Sequence, residues 1–411
     1  MLRKKMLAIG ALVALGLLAV VSPVAAAAAP KAGASSAPLA DQAVVRAPDC
    51  ANAKNHIADL LQRADKSGSG MVNCVRSSSS AAGSTGTSSA AAAAGLCFGA
   101  EILKRLSSCT DYSGRLIIFT KPDGVVVGTI DYVVKTEVFL SGRADRWRHN
   151  FTITSTSSWG LVKGVTVAGT GVCVIECVPV GGTLVGGSAE PPASHSGIAT
   201  FDSEIHGSDD VWTAGSAWTF TFTCPFCTPL QSNPTTVAAS RHRCDSTIGN
   251  RPAGCAYEDV IPTHEISRQR FPQYARHIEL AINHKLPDLL EKGSQELAER
   301  NGRIACPPDD GALYMRPPGM SCDEYPFRST KQGAANQPYG RTFFIFNFQT
   351  GQLAIDCKVK WLARRGITDS GGYNVCMIPE DQNREGGNDL QVFYYDNRVI
   401  EGDEFRVKIV N

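Results

Sequence analysis

The sequence lacks net charge: 40 Lys and Arg against 39 Asp and Glu leave a formal +1. So even a balance gives no long-range field to steer the chain onto a polyanion. It also disfavours tight sequence-independent DNA binding, which is driven by neutralising phosphates, although a local basic groove is compatible with it. Long apolar runs are missing beyond the first thirty residues, so no later segment reaches the ~20 residues that a membrane span needs. An odd cysteine is missing too. The 14 cysteines form an even set, the first at Cys50, which points to a disulfide framework in an oxidising compartment.

What is present begins with a leader. MLRKK is a basic stretch, MLAIGALVALGLLAVV an apolar core, and SPVAAAAAP a small-residue exit suited to cleavage near Ala27 to Ala29. Residues 1–29 therefore read as a secretory signal peptide, and the expected location is extracellular. Residues 30–49 read as a flexible Ala/Pro/Ser lead-in. Residues 50–110 read as two short helices around a low-complexity linker. NHIADLLQRA (Asn55 to Ala64) sets Ile57, Leu60 and Leu61 on one face. Ser77 to Gly95 is the linker, and GAEILKRLSSC the second helix.

From 111 to 235 the texture is that of strands. RLIIFT, GVVVGTIDYVV, EVFLSG, NFTITSTS, GVTVAGTG and WTFTFTC are short, partly alternating and separated by KPDG and Gly clusters. This predicts an antiparallel sandwich or barrel-like domain. No catalytic spacing stands out in it; a cell-wall or protein partner is the expectation for its surface. Cys173 and Cys177, with Cys224 and Cys227 of CPFC, admit a structural zinc site or two disulfides, and export favours the disulfides.

Residues 236–411 read as an α+β domain, helices first and an antiparallel sheet after. Pro272 opens a helix, QYARHIELAI, with Tyr274, Ile278, Ala281 and Ile282 at core spacing and His277 beside that face. A second helix is expected from Pro287 through DLLEKGSQELAER to Gly302. RTFFIFNFQTGQLAIDCKVKW reads as a hairpin turning at Thr350-Gly351, and LQVFYYDNRVIEGDEFRVKIV as two strands. The expected local cystines are Cys244–Cys255, Cys306–Cys322 and Cys357–Cys376. The second would clamp the most distinctive segment, SCDEYPFRSTKQG (Ser321 to Gly333), where Pro326 denies a helix and fixes Asp323 and Glu324 on extended backbone.

The pieces FPQYARHIELA (Phe271 to Ala281), NGRIAC (Asn301 to Cys306), CDEYPF (Cys322 to Phe327), Ser329-Thr330 and PEDQNREGGNDL (Pro379 to Leu390) resemble, in order, the signature of the NucA/NucB family of secreted bacterial deoxyribonucleases. The resemblance covers about the last 150 residues, one domain's worth. It implies a nuclease-like fold, DNA as substrate, and metal-assisted phosphodiester hydrolysis with little sequence preference. Where bacillar members have Glu-Gly-Gly this chain has Gln332-Gly333-Ala334, which keeps hydrogen bonding and loses the negative charge.

Such chemistry needs an activated water, charge relief at the phosphoryl group and a proton for the leaving oxygen. The expected catalytic residues are Asp323, His277, Glu380 and Asn383, with Glu380 as the acid that would stand in at the Gln332 change. The expected substrate contacts are Arg384, Arg303 and Gln332, with Arg364 and Arg365 as further backbone contacts. Asp323 and Glu324 are the expected ligands of Mg²⁺ or Mn²⁺, which prefer oxygen donors. Neighbours on an extended segment point to opposite sides, so Asp323 is taken as the site-facing member. His264 and His284 are the alternative imidazoles. The rival reading is a nuclease fold without catalysis that binds a surface or partner. A structural surface protein and a competition toxin are further readings.

Overall fold

Strands make up 47% of the computed structural model, which describes residues 44–63, 67–76, 97, 101–205, 207–347, 352–364 and 369–411. The signal peptide, the lead-in to residue 43, the Ser/Ala-rich linker, the Thr350-Gly351 turn and Arg365 lie outside the described residues. The large sheet comprises β1 (Val44–Arg46), β2 (Ser69–Arg76), β3 (Ile102–Lys104), β4 (Ser107–Thr120), β5 (Val126–Ser141), β6 (Ala144–Gly160) and β7 (Thr166–Ile175). It continues with β8 (Cys177–Gly181), β9 (Thr183–Ser188), β10 (Ala193–Ser203), β11 (Val211–Thr223), β12 (Thr235–Ala238), β13 (His242–Asp245) and β14 (Gly254–Ala256).

Its backbone order is β1-β12-β11-β7-β9-β10-β6-β5-β4-β2, all antiparallel, with β3, β8, β13 and β14 attached at the sides. The sheet curls into a half-barrel. The expectation of a sandwich or barrel thus resolves as one curled sheet that closes over its own core. β5 shows the cause, because its burial alternates nearly without fault and turns Ile130, Tyr132, Val134 and Val138 inward. Register shifts after Ile118, Asp131 and Phe139 add the local twist that bends long strands. Aromatic rings fill the concave side, with Phe151 stacked on Trp218 at 5.2 Å and Trp147 on Phe201 at 5.7 Å.

Helix α1 (Ala53–Arg63) lies on the outer face of β2 and β4, where Ile57 packs with Val72, Ile117 and Phe119. The second expected N-terminal helix does not form. Ile102–Lys104 pairs antiparallel with Ser107–Cys109 instead, and the turn between them sends Arg105 into buried acceptors that a helix would have left out of reach. All 14 cysteines pair: Cys50–Cys74, Cys97–Cys109, Cys173–Cys177, Cys224–Cys227, Cys244–Cys255, Cys306–Cys322 and Cys357–Cys376. The three cystines expected from spacing are among them, and the four sulfurs of the zinc alternative are oxidised. No helix of the described residues is long and apolar enough to cross a membrane.

The C-terminal region holds β15 (Thr263–Ser267), α2 (Pro272–Asn283), β16 (Leu289–Glu291), α3 (Gln295–Ala305), β17 (Met320–Tyr325), β18 (Gly340–Thr342), β19 (Phe344–Asn347), β20 (Gln352–Asp356), β21 (Ala363–Arg364), β22 (Tyr373–Pro379), α4 (Glu380–Asp396) and β23 (Glu404–Val410). Its sheets run β15-β23-β16 and β17-β22-β18-β21, with β19-β20 as the expected hairpin. The expectation of helices first and an antiparallel sheet after fails, since β15 precedes α2 and α4 lies between β22 and β23. Both sheets are mixed, β15 pairing parallel with β23 and β18 parallel with β21 and β22, because strands far apart in the chain pair across long connections. Two local expectations fail as well. The helix after Pro287 begins only at Gln295, because Leu289–Glu291 pairs with β23 and Ser294 caps the helix through its Oγ. The stretch from Glu380 to Asp396 is a helix rather than a Gly-rich turn and a strand. Leu390, Phe393 and Tyr394 bury at helical spacing, which the Gly-Gly pair masks in the sequence.

A buried ionic cluster ties this region to the large sheet. Asp403 accepts from Arg105 Nη2 at 2.6 Å and from Arg243 at 2.7 and 2.8 Å. Arg398, fully buried, reaches Asp245 Oδ1 at 3.0 Å and the Pro252 carbonyl at 2.9 Å. Burial pushes the Asp403 carboxyl up, but hydrogen bonds and charge from Arg243 and Arg105 outweigh it and hold the group below its usual range. Asp403→Ala would strand two buried guanidinium groups, and urea unfolding is expected to show a loss of about 3–5 kcal/mol. A loss below about 1 kcal/mol would show instead that water compensates the cluster.

Inside the half-barrel, His149 and His242 are buried and neutral. His149 Nδ1 lies 3.1 Å from Ser216 Oγ, while among the described residues His149 Nε2 and both nitrogens of His242 have no partner at hydrogen-bond geometry. Burial pushes both imidazoles down to about 3, and for His149 the neighbouring His242 adds to it. The unfolded chain, with histidines near 6.5, binds these protons first. Stability is therefore complete above about pH 6.5 and is lost as pH falls toward 3. Urea unfolding at pH 7.5 and at pH 5 should differ by about 2 kcal/mol per histidine. His242→Phe should flatten that slope, and an unchanged slope would remove His242 as its source.

Candidate active site

The site is built where α2 and α4 cover one face of β17 and β22. Pro272 sits in the first turn of α2, where a missing N–H costs nothing, and the helix buries Tyr274, Ala275, His277, Ile278 and Ala281. His277, expected beside the apolar face, lies within it at 2% exposure. β17 pairs with β22 in antiparallel register, setting Asp323 opposite Cys376 and Tyr325 opposite Asn374. The Cys306–Cys322 cystine fastens the end of α3 to this strand.

His277 and Asp323 meet. The imidazole Nδ1 is 2.5 Å from Asp323 Oδ2, and Nε2 touches the side-chain carbonyl of Asn374. Asp323 is 5% exposed and Asn374 fully buried. Asp323 Oδ1 makes no hydrogen bond among the described residues. The amide nitrogen of Asn374 is buried without a partner among the described residues. A carboxylate and an amide carbonyl both accept, so this arrangement asks for an N–H on each ring nitrogen.

Helix α4 braces the pair from outside. Asn383 Nδ2 donates to Ser321 Oγ and to the Cys322 carbonyl, both at 2.9 Å, pinning α4 to β17. Gln382 Oε1 accepts from the Gln273 backbone N–H at 2.8 Å, so one helix caps the N-terminus of the other. Gly386 provides the close approach: a Cβ there would lie 2.7 Å from the Tyr274 ring. Burial, then the charge of Asp323, raises the Tyr274 phenol well above its usual range, so it stays protonated beside the carboxylate.

The other expected residues are distributed more widely. Glu324 points to the opposite face of β17, where its Oε2 lies 3.2 Å from Cys306 Sγ. Burial, reinforced by Asp323, pushes its carboxyl up to about 7 against the pull of Arg328. Asp323 and Glu324 therefore do not form a two-carboxylate ligand set for one ion. On the His277 face, Asp323 Oδ1 is an oxygen without a hydrogen bond among the described residues. Glu380 and Arg384 are exposed on the first turns of α4 and form no ion pair among the described residues. Arg303 is exposed and 3.9 Å from Glu299. Gln332 accepts from the Glu291 backbone N–H at 3.0 Å and holds β16, and none of its hydrogen bonds reaches the His277–Asp323 pair.

The alternative imidazoles are structural. His264 packs 4.9 Å from the Phe393 ring, and burial lowers it to about 4. His284 bonds the Leu280 carbonyl at the end of α2. Asn374 was not legible as a site residue, because strand register brings it there; its place two residues before Cys376 was the available signal. Neither a scan of protein-family models nor a search of curated proteins finds a match to this chain.

The contact of Gly386 with Tyr274 can be tested against its neighbour. Gly386→Ala should force α4 away from α2 and cost about 1–3 kcal/mol in urea unfolding. Gly387→Ala, which meets nothing within 4 Å, should be neutral or stabilise by about 0.5–1 kcal/mol. Equal effects would show that the helices do not depend on this close approach.

Proposed function

We propose that the C-terminal region is an exported phosphodiester hydrolase acting on extracellular DNA with little sequence preference. The observation that carries this reading is the 2.5 Å contact between His277 and Asp323. Two of the ordered motifs, separated by 46 positions, supply the acid and the imidazole of one pair. Seven cystines are compatible with export.

In this reading Asp323 accepts the Nδ1 proton and orients the ring, as a carboxylate does for a general base. Nε2 becomes the atom that takes a proton from water only after it has released its own N–H proton to solvent and the Asn374 side chain has swung off it. Asn383 holds the Ser321-Cys322 backbone so that the carboxylate stays in line. Arg384, exposed at the entrance of α4, offers a planar fork to a phosphate. A divalent ion would be held by Asp323 rather than by Glu324, and when bound it would relieve charge on the phosphoryl oxygens.

A second reading, a nuclease-like scaffold that binds without cutting, is favoured by one specific feature. Both ring nitrogens of His277 are engaged and the ring is only 2% exposed. A plasmid-nicking assay on the secreted protein with Mg²⁺ or Mn²⁺ separates the two. Hydrolysis predicts cleavage that falls about 100-fold or more in Asp323→Asn and His277→Gln, with circular dichroism unchanged. Absence of cleavage with every metal and with RNA as well as DNA selects the binding scaffold. Full activity in Asp323→Asn removes that residue from the mechanism.

A further inference from the structure

A second feature, far along the chain from the His277 pair, is a buried lysine that forms no ion pair among the described residues. A cleft of about 260 Å³ opens between α1 and the sheet, lined by His56 and Leu60 of the helix, Met71 of β2, Phe119 of β4, Lys121 and Thr228. Lys121 is 8% exposed. Its ammonium donates to the Thr228 carbonyl at 2.7 Å and forms no ion pair among the described residues.

The position of Lys121 is fixed from both sides. Its backbone N–H donates to the Gly68 carbonyl, and the Thr228 N–H donates to Ser69, each within 2.8 Å. A lysine usually extends its amine into water, and a buried ammonium with one neutral acceptor carries a desolvation cost that a single hydrogen bond does not offset. An ammonium has three donors, and the Thr228 bond uses one. The remaining donors sit at a cleft whose apolar wall is Leu60, Met71 and Phe119 and whose polar edge is Gln231, Ser232 and Asn233.

We propose that this cleft binds a small organic monocarboxylate with an apolar tail, its carboxylate pairing with Lys121. A single fixed positive charge matches a monoanion. A phosphate would bring a second negative charge for which the lining holds no second fixed cation, only the imidazole of His56, and an uncharged ligand would leave the ammonium as it is. The volume suits a molecule the size of one amino acid rather than a polymer. This site is independent of the hydrolase reading.

Calorimetric titration of the full exported chain tests it with N-acetylleucine as probe and N-acetylleucinamide as the uncharged control. The carboxylate should bind about tenfold tighter than the amide or better. Lys121→Met, with unchanged circular dichroism, should abolish the difference. Equal binding of the amide, no heat from either compound at millimolar concentration, or undiminished binding by Lys121→Met overturns the proposal. So does preference for inorganic phosphate over the carboxylate. The wild-type comparison decides even where the variant does not fold.

Discussion

Three guanidinium groups and two carboxylates, nearly all out of contact with water, are the constraint on which the rest depends. Arg105 enters from the β3–β4 turn, Arg243 and Asp245 from β13, and Arg398 and Asp403 from the segment after α4. Such a cluster contributes little net stability against an apolar replacement, but it tolerates no other register, because each misplaced partner leaves a buried charge alone. It therefore fixes where α4 ends relative to the half-barrel. From that fixed end the helix reaches back along α2, with Gly386 against Tyr274, Gln382 on the N-terminus of α2 and Asn383 on β17. The position of His277 against Asp323 is the far end of this chain of contacts. Residues 41–411 accordingly form one compact unit.

The parts of this arrangement that local chemistry dictates were legible in the sequence. Pro272 and the spacing of Tyr274, Ile278 and Ala281 announce α2, and partial alternation announces strands but not their length, since GVVVGTIDYVV and EVFLSG join in the one strand Val126–Ser141. Pro326 marks the end of β17, and the loop lengths between cysteines suggest three of the cystines. What long-range pairing decides was not legible. Ile102–Lys104 has a helical pattern and becomes a strand because Ser107–Cys109 is available beside it. Leu289–Glu291 is claimed by β23. The helix α4 was hidden by Gly386 and Gly387, which read as a turn until a partner ring is known to need the space. At the site, motif order indicated His277 and Asp323, whereas Asn374 arrives through strand register, a quantity that composition and periodicity do not carry.

The polar groups left unsatisfied in the interior are informative because they are few and unevenly placed. His149 and His242 lie in the half-barrel core, where neutrality makes the missing partners tolerable at neutral pH. Asn374 is different. With its carbonyl toward His277 its amide nitrogen is orphaned; turned over, it would serve a neutral ring and orphan its oxygen instead. Either orientation leaves half of a buried carboxamide unpaired, at a cost of about 1–3 kcal/mol. An apolar side chain at the same position of β22 would only move that cost to His277, whose buried Nε2 would lose its partner. An amide is the group that can face Nε2 in both protonation states of the ring, accepting from its N–H or, turned over, donating to its lone pair. The proposed chemistry asks for that adaptability, because the ring must exchange the Nε2 proton.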